Sequence, residues 1–174
     1  PLRLSPGEEE LMVSMRASFR HSEVLHRHVR FLYANGSTYK TVNGNLLFHG
    51  CLPMNEDGTF QSMKLNGTEY AGKSLMDHLN MVIQDAYFRP RDSEERAYAK
   101  DFMWYLWCGA KSPMYGKSQM STFENYFADD KSVRREVYNA YYTVSQNESV
   151  CRDILAAFGL DPDRAHIVNG HVPV

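Results

Sequence analysis

Cysteine, long apolar runs and excess charge of either sign are all scarce in this sequence. Its three cysteines, Cys51, Cys108 and Cys151, are odd in number, widely spaced and without a C-x-x-C pair, which indicates neither a disulfide framework nor a zinc ribbon. No apolar run approaches the roughly 18 residues that a membrane helix needs. The formal net charge of -2 argues against nucleic-acid binding through bulk positive charge, although a local basic pocket stays open. We therefore expect a cytoplasmic protein with free thiols and neither a membrane nor a nucleic-acid partner.

Bulky side chains are what the sequence has in quantity. Apolar residues make up 43% of the 174 positions and aromatic residues 13%, which is enough for a packed core. The chain begins at Pro1 and ends at Val174, directly after a turn that follows a short apolar run. Domains usually end in an exposed polar segment, so we expect a fragment of a longer protein.

Hydrophobic spacing and turn residues predict a mixture of helices and short strands. The Ser5-Pro6-Gly7-Glu8 capping box begins a helical region that is either one helix or two, broken near His21-Ser22. The other predicted elements are a hairpin over 39–49 turning at Asn43-Gly44, a loop over 50–72 with a possible second hairpin at Asn66-Gly67, helices from Ser74 to about 88, from Ser93 to 109 and over 122–128, 132–143 and 147–158, and a strand over 165–168 followed by a turn. This pattern predicts an α+β fold.

The segment from Gly109 to Gly116-Lys117-Ser118 only partly resembles a phosphate-binding loop. A Walker motif has four residues between its glycines, whereas this segment has six and follows a predicted helix rather than a strand. Lys111 and Lys117 could still meet a phosphate as point charges, but solvated loop lysines are the more common case.

Two of the seven histidines have a context that suggests a site. His49 and His171 each follow a short apolar strand and precede a glycine or proline turn, a place where loops converge on a rigid sheet. Two such imidazoles on neighbouring strands could share one metal ion, although on spacing alone a structural role is the more common one. His21, His26 and His28 lack the spacing of three or four residues that a helical chelate needs, and we expect them at the surface or capping the helix.

Longer stretches of the sequence resemble a known family. His49-Gly50-Cys51-Leu52-Pro53 is similar to the H-G-G-L-S-P element of calcineurin-like metallophosphatases, and Gly170-His171-Val172-Pro173 to their late Gly-His element. Longer words at 43–54, 103–109, 112–117, 122–127, 158–162 and 166–174 resemble, in order and over nearly the whole chain, the class III fructose-1,6-bisphosphatases of bacteria.

The resemblance implies a position within a larger catalytic domain. It places the chain in a metallophosphatase αββα sandwich, with helices over 1–36, a hairpin over 39–49, a helical insertion over 73–158 and a strand with a Gly-His turn over 165–174. The early family motifs D-x-H, G-D-x-x-D-R-G and G-N-H-E, which carry the bridging Asp and the catalytic His, do not occur here. The resemblance therefore implies a central-to-late section that is inactive without the upstream section and contains no catalytic acid or base.

The resemblance also implies the chemistry of the complete enzyme. Two manganese ions would activate the water that attacks fructose 1,6-bisphosphate in gluconeogenesis, releasing fructose 6-phosphate and phosphate. It assigns His49 and His171 as metal ligands, and Lys117 and Lys111 are our candidates for binding the second phosphate. A homo-oligomer is left open. The alternative is a non-catalytic helical module for regulation or assembly, which the aromatic run over 102–107 and the nine methionines would also suit.

Overall fold

The computed structural model describes residues 3–172, and the chain divides into two compact units, Pro1–Gly36 and Ser37–Val174. Two predicted segments, 1–36 and 165–174, extend beyond this range, so their ends at Pro1-Leu2 and Pro173-Val174 lie outside the described residues. The first unit contains helices α1 (Pro6–His21) and α2 (Glu23–Asn35). The second contains strands β1 (Tyr39–Val42), β2 (Asn45–Phe48), β3 (Met63–Leu65), β4 (Thr68–Tyr70) and β5 (Ile167–Asn169), and helices α3 (Gly72–Phe88), α4 (Glu94–Cys108), α5 (Glu124–Phe127), α6 (Tyr141–Val144) and α7 (Glu148–Ala157), with a 3-10 helix over Lys131–Arg134.

The first unit consists of two capped helices. Ser5 and Glu8 form the predicted capping box, with the Ser5 side chain accepting from the backbone N–H of Glu8. The chain breaks at Ser22, whose side chain caps α2 by accepting from the backbone N–H of Leu25. The sequence left one helix or two open, and the structure has two. Within the described residues, neither helix contains a buried residue.

The second unit contains two small sheets. β2 is the central strand of the larger sheet, antiparallel to β1 and parallel to β5, in the order β1-β2-β5. The predicted Asn43-Gly44 turn joins β1 to β2, and both of its residues have positive φ. The possible second hairpin is also confirmed, since β3 and β4 pair across Asn66-Gly67. The fold is therefore α+β, as predicted, while the complete sandwich stays a prediction.

Two apolar cores lie in the second unit. Leu46 and Phe48 of β2 pack with Ile154 and Leu155 of α7 in the first core. The second core joins one face of α3 to α4 and the β3–β4 hairpin; its buried members are Met63, Leu65, Leu75, Leu79, Val82, Ala86, Ala99, Phe102 and Leu106. The first core fixes β2, and His49 directly follows the end of this strand.

The predicted helix over 132–143 is wrong. Only a 3-10 turn and the one-turn helix α6 form there, and the backbone between them pairs with another segment. The N–H of Ser118 donates to the carbonyl oxygen of Val137, and the N–H of Asn139 donates to that of Gly116. Pairing with a distant segment satisfies these backbone groups outside a helix, so tertiary structure overrides local propensity. The final strand also begins later than predicted, at Ile167 rather than Ala165.

Candidate functional site

His49 and His171 follow the ends of two adjacent parallel strands. Phe48 pairs with Asn169 in the register of β2 and β5, and the N–H of Gly170 then donates to the carbonyl oxygen of His49 at 2.9 Å. The sheet pairing therefore continues to the histidines and places both rings at the same edge. The Nε2 atom of His49 lies 3.0 Å from the Nδ1 atom of His171, and the ring centroids are 4.9 Å apart. The predicted proximity of the two rings is confirmed.

The spacing of the two nitrogens suits a shared metal ion. Metal–nitrogen bonds of about 2.1 Å to two atoms 3.0 Å apart meet at an angle of about 90°, as in octahedral coordination. A neutral imidazole is the form that binds a metal. The pKa of His171 is lowered, mainly by partial desolvation and to a smaller extent by the nearby His49, which favours this neutral form. The donor set is incomplete within residues 3–172, where no three His, Cys, Asp or Glu side chains converge as a ligand group. The two imidazoles fit part of a metal site, and their role as ligands stays a prediction.

The backbone at both histidines is constrained. His171 has a φ of 68°, in the left-handed region that residues other than glycine rarely adopt. Asn169 connects the two strand ends, because its Nδ2 donates to the carbonyl oxygen of Gly50 and its Oδ1 accepts from the hydroxyl of Tyr141. Backbone strain of this kind persists only where surrounding contacts support it, and it is frequent at functional sites.

The loop after α4 packs directly on the end of β2. The N–H of Cys51 donates to the carbonyl oxygen of Pro113 at 2.9 Å, and Gly116 has a φ of +69°, which allows the loop to turn back. The Ser112 hydroxyl donates to the carbonyl oxygen of Leu106 and fastens the start of the loop to α4. The segment from Gly109 to Ser118, whose glycine spacing is too long for a Walker motif, therefore forms one wall of the histidine site.

A cavity of about 460 Å³ opens beside the histidine pair. Apart from the two imidazoles its lining is apolar or aromatic, and comprises Ile83, Met103, Leu106, Trp107, Met114, Tyr115 and Met120. Among these lining residues, Tyr115 contacts the histidine pair directly: its ring meets that of His171 edge-on, with centroids 6.3 Å apart. Tyr115 lies in the 112–117 stretch that resembles the family, which was the one available signal, but nothing in that stretch assigned it a role.

The structure does not place Lys117 or Lys111 in this cavity. Lys117 Nζ lies 2.6 Å from Glu136 Oε2 and 5.2 Å from the centroid of the Tyr138 ring. This hydrogen bond is the main cause that lowers the pKa of Glu136 to about 2 and raises that of Lys117. Lys111 Nζ donates to the carbonyl oxygen of Ser62 at 3.2 Å, and Lys111 lines a separate cavity of about 360 Å³. Their role in substrate binding stays a prediction.

The remaining histidines and the cysteines have other surroundings. His26 is exposed and its Nε2 contacts the carbonyl oxygen of Arg20, as expected of a surface residue. The His78 ring stacks on Tyr70 at a centroid distance of 4.2 Å. Cys51, Cys108 and Cys151 are free, and burial raises the pKa of the Cys51 thiol to about 12.

The chain is therefore an α+β segment in which the imidazoles of His49 and His171 converge just beyond the ends of two adjacent strands. The family model described as Firmicute fructose-1,6-bisphosphatase matches residues 1–174, and the chain belongs to this family.

Curated relatives agree with the family model. The chain is 48% identical over its whole length to proteins named fructose-1,6-bisphosphatase class 3 from Listeria monocytogenes serotype 4b and from Clostridium novyi, and 46% identical to one from Clostridium tetani. It spans about a quarter of the length of these relatives, 27% in the Listeria protein and 26% in the clostridial ones. No solved structure gives a significant match.

No helix in the part of the chain that the structure describes is both long and apolar enough to cross a membrane.

Proposed function

We propose that this chain is a section of a metal-dependent sugar phosphatase that hydrolyses fructose 1,6-bisphosphate to fructose 6-phosphate and phosphate. The observation that carries the proposal is the 3.0 Å approach of His49 Nε2 to His171 Nδ1, in a chain whose family and relatives bear this enzyme's name. Two manganese ions, when bound, would supply the activated water and neutralise charge on the phosphoryl oxygens.

His49 and His171 supply two neutral nitrogen ligands to one of the metal ions. Imidazoles suit a borderline metal whose other ligands are carboxylates, and those carboxylates come from the upstream section of the protein. The two nitrogens are held in place before a metal binds, because the N–H of Gly170 donates to the carbonyl oxygen of His49 and the Asn169 side chain donates to that of Gly50. Little reorganisation is then needed on binding.

Lys111 is the better of the two lysine candidates for the non-reacting phosphate. Its ammonium donates to a neutral carbonyl oxygen and therefore keeps its net charge for an anion, whereas Glu136 balances the charge of Lys117. The polar lining of the cavity that Lys111 shares comprises the amides of Asn55, Gln61 and Asn139, the hydroxyls of Ser118 and Tyr138 and one carboxylate, that of Glu56. Side-chain amides of this kind can donate to phosphate or sugar oxygens.

The same proposal covers the setting of the enzyme. We place the complete protein in the cytoplasm, in gluconeogenesis, with the upstream section as the tightly associated partner of this chain. The three free thiols agree with a reducing compartment. The oligomeric state of the complete protein is open to measurement by light scattering.

The test compares His49→Ala and His171→Ala in the complete protein with the parent. We expect both variants to lose about 100-fold in hydrolysis of fructose 1,6-bisphosphate with manganese present, because removing even a residue that only supports a metal ligand costs about 10- to 100-fold. Manganese binding should weaken in parallel while the melting temperature changes little.

His28→Ala is the matched control, because His28 is an exposed histidine on α2. It should retain parental activity and metal affinity. Full turnover by both site variants would contradict the proposal and favour the non-catalytic helical module.

A further inference from the structure

Glu136 is the centre of a hydrogen-bond cluster on the segment after the 3-10 helix. Its Oε2 accepts from Lys117 Nζ at 2.6 Å, and its Oε1 accepts from both the backbone N and the Oγ of Ser121 at 3.0 Å. The Tyr115 hydroxyl lies 3.3 Å from Oε1 and 2.9 Å from the carbonyl oxygen of Gln119, and shares its one proton between them. A single carboxylate therefore ties together three positions of the 115–121 loop through charge-assisted bonds.

The 115–121 loop contacts this carboxylate and also lines the cavity of the histidine pair. Tyr115 and Met120 line the same cavity as His49 and His171. Tyr115 is only 7% exposed, and its ring stands at 68° to that of His171 with centroids 6.3 Å apart. The rings of His49 and Tyr115 both meet the His171 imidazole edge-on, so a shift of the loop would remove one of these two ring contacts.

We propose that Glu136 is a positioning residue for His171, acting through the loop that holds the Tyr115 ring against the imidazole. This inference rests on the proposed function, in which His171 is a metal ligand. Supporting residues of this kind fix the orientation of a metal-binding ring, so that its nitrogen is aimed at the metal before binding.

The effect of Glu136 is local. Neither Glu136 nor Tyr115 belongs to the two apolar cores, which are built from β2 with α7 and from α3 with α4. Loss of the carboxylate charge therefore loosens the loop and leaves both cores packed. The manganese dissociation constant should rise about 10-fold while the melting temperature falls by only a few degrees and unfolding stays cooperative, which separates positioning from a general structural role.

The first experiment measures the manganese dissociation constant of the complete protein by equilibrium dialysis. Glu136→Gln keeps the shape of the side chain but removes the ion pair with Lys117, and we expect the constant to rise about 10-fold. Tyr115→Phe keeps the ring against His171 and should stay within about twofold of the parent, because only the shared hydroxyl proton is lost. Asp163→Asn breaks an ion pair of the same 2.6 Å length with Arg152, outside the loop, and should change nothing.

A double-mutant cycle tests whether Glu136 acts through the Tyr115 ring. Tyr115→Leu removes the ring and should itself weaken manganese binding, and adding Glu136→Gln should then cost less than about a further twofold. Effects that multiply in the double variant would overturn the inference. If Glu136→Gln does not fold, Ser121→Ala removes one donor to the same carboxylate and should raise the constant about threefold; a folded Ser121→Ala that binds like the parent would also overturn it.

His171→Ala separates the two proposals. If His171→Ala binds manganese like the parent, the ligand assignment under the proposed function fails. If His171→Ala loses binding while Glu136→Gln keeps parental affinity, the ligand assignment stands and the positioning role alone is wrong.

Discussion

At the residue scale, Gly50 determines how closely the loop after α4 approaches the histidine pair. A Cβ atom at this position would lie 2.5 Å from the carbonyl oxygen of Pro113, closer than a carbon atom can come without a shift of the backbone. The same oxygen accepts from the N–H of Cys51. The loop is therefore fastened to the end of β2 only because the residue after His49 has no side chain.

Gly50→Ala should destabilise the protein by about 1–3 kcal/mol, since the added methyl group overlaps backbone on a packed loop. It should also weaken manganese binding by displacing His49. The control is Gly44→Ala, at a φ of +78° with open space around it, which costs about 1–2 kcal/mol of strain but lies at the far end of the hairpin. Thermal melting should show that both variants are destabilised, whereas equilibrium dialysis should show weaker manganese binding only for Gly50→Ala. Equal metal affinity in both variants would contradict the argument.

At the element scale, α7 packs against the strand that leads to His49. Its buried residues Ile154 and Leu155 pack in the core with Leu46 of β2, and its first turn is capped by Asn147, whose Oδ1 accepts from the N–H of Ser149 at 3.0 Å. The cap satisfies a backbone donor that the helix itself leaves unpaired. The stability of α7 is thus coupled to that of the strand that carries His49.

Asn147→Ala should lower the free energy of unfolding by about 0.5–2 kcal/mol, the usual effect of removing a helix cap. Gln146→Ala, at the exposed neighbouring position outside the helix, serves as control and should change it by less than about 0.5 kcal/mol. Urea unfolding measures both. A loss in Gln146→Ala as large as in Asn147→Ala would show that the cap is not the cause.

At the scale of the whole molecule, Glu136 makes stability depend on pH. Its pKa is lowered from the ordinary value of 4.5 to about 2, mainly by the hydrogen bond from Lys117. A carboxylate with a depressed pKa in the folded state stabilises that state fully above the unfolded value and loses this contribution as the pH falls through the folded one. The contribution is therefore present above about pH 4.5 and disappears towards pH 2, and we expect about 1–2 kcal/mol after solvent screening.

The parent should melt at a higher temperature than Glu136→Gln at pH 6, and the difference should shrink between pH 4.5 and 2. In the folded parent the carboxylate stays charged down to about pH 2, whereas in the unfolded chain it is protonated below about pH 4.5. The stabilisation by its charge is therefore lost across this range, and the two proteins become alike at its lower end. Thermal melting followed by circular dichroism from pH 6 to 2 gives the difference directly. A difference that stays constant across this range would assign the effect to side-chain shape rather than charge.

Also at this scale, we predict that the 174-residue chain alone does not hydrolyse fructose 1,6-bisphosphate. Two imidazoles without carboxylates bind a divalent cation weakly, and no group within the described residues completes the ligand set. Phosphate release with manganese present should be at background for the chain and measurable for the complete protein. Turnover by the purified chain would contradict the prediction.

Local elements could be read from the sequence because their signals are short. The Ser5 capping box, the Asn43-Gly44 and Asn66-Gly67 turns and the periodic faces of α3 and α4 each depend on residues a few positions apart, and each appears in the structure. The strand-end context of His49 and His171 allowed a shared site but favoured a structural role, and it was the family resemblance that implied the pair, whose nitrogens lie 3.0 Å apart.

Tertiary structure alone decided what joins distant parts of the chain. The segment after the 3-10 helix has helical spacing, yet it pairs with residues 116–118, and Glu136 is thereby brought to Lys117 and Ser121. Lys117 is consequently held by a carboxylate and does not line the histidine cavity. No local pattern records such contacts, because hydrogen bonds and ion pairs between distant segments exist only after the cores have packed and brought those segments together.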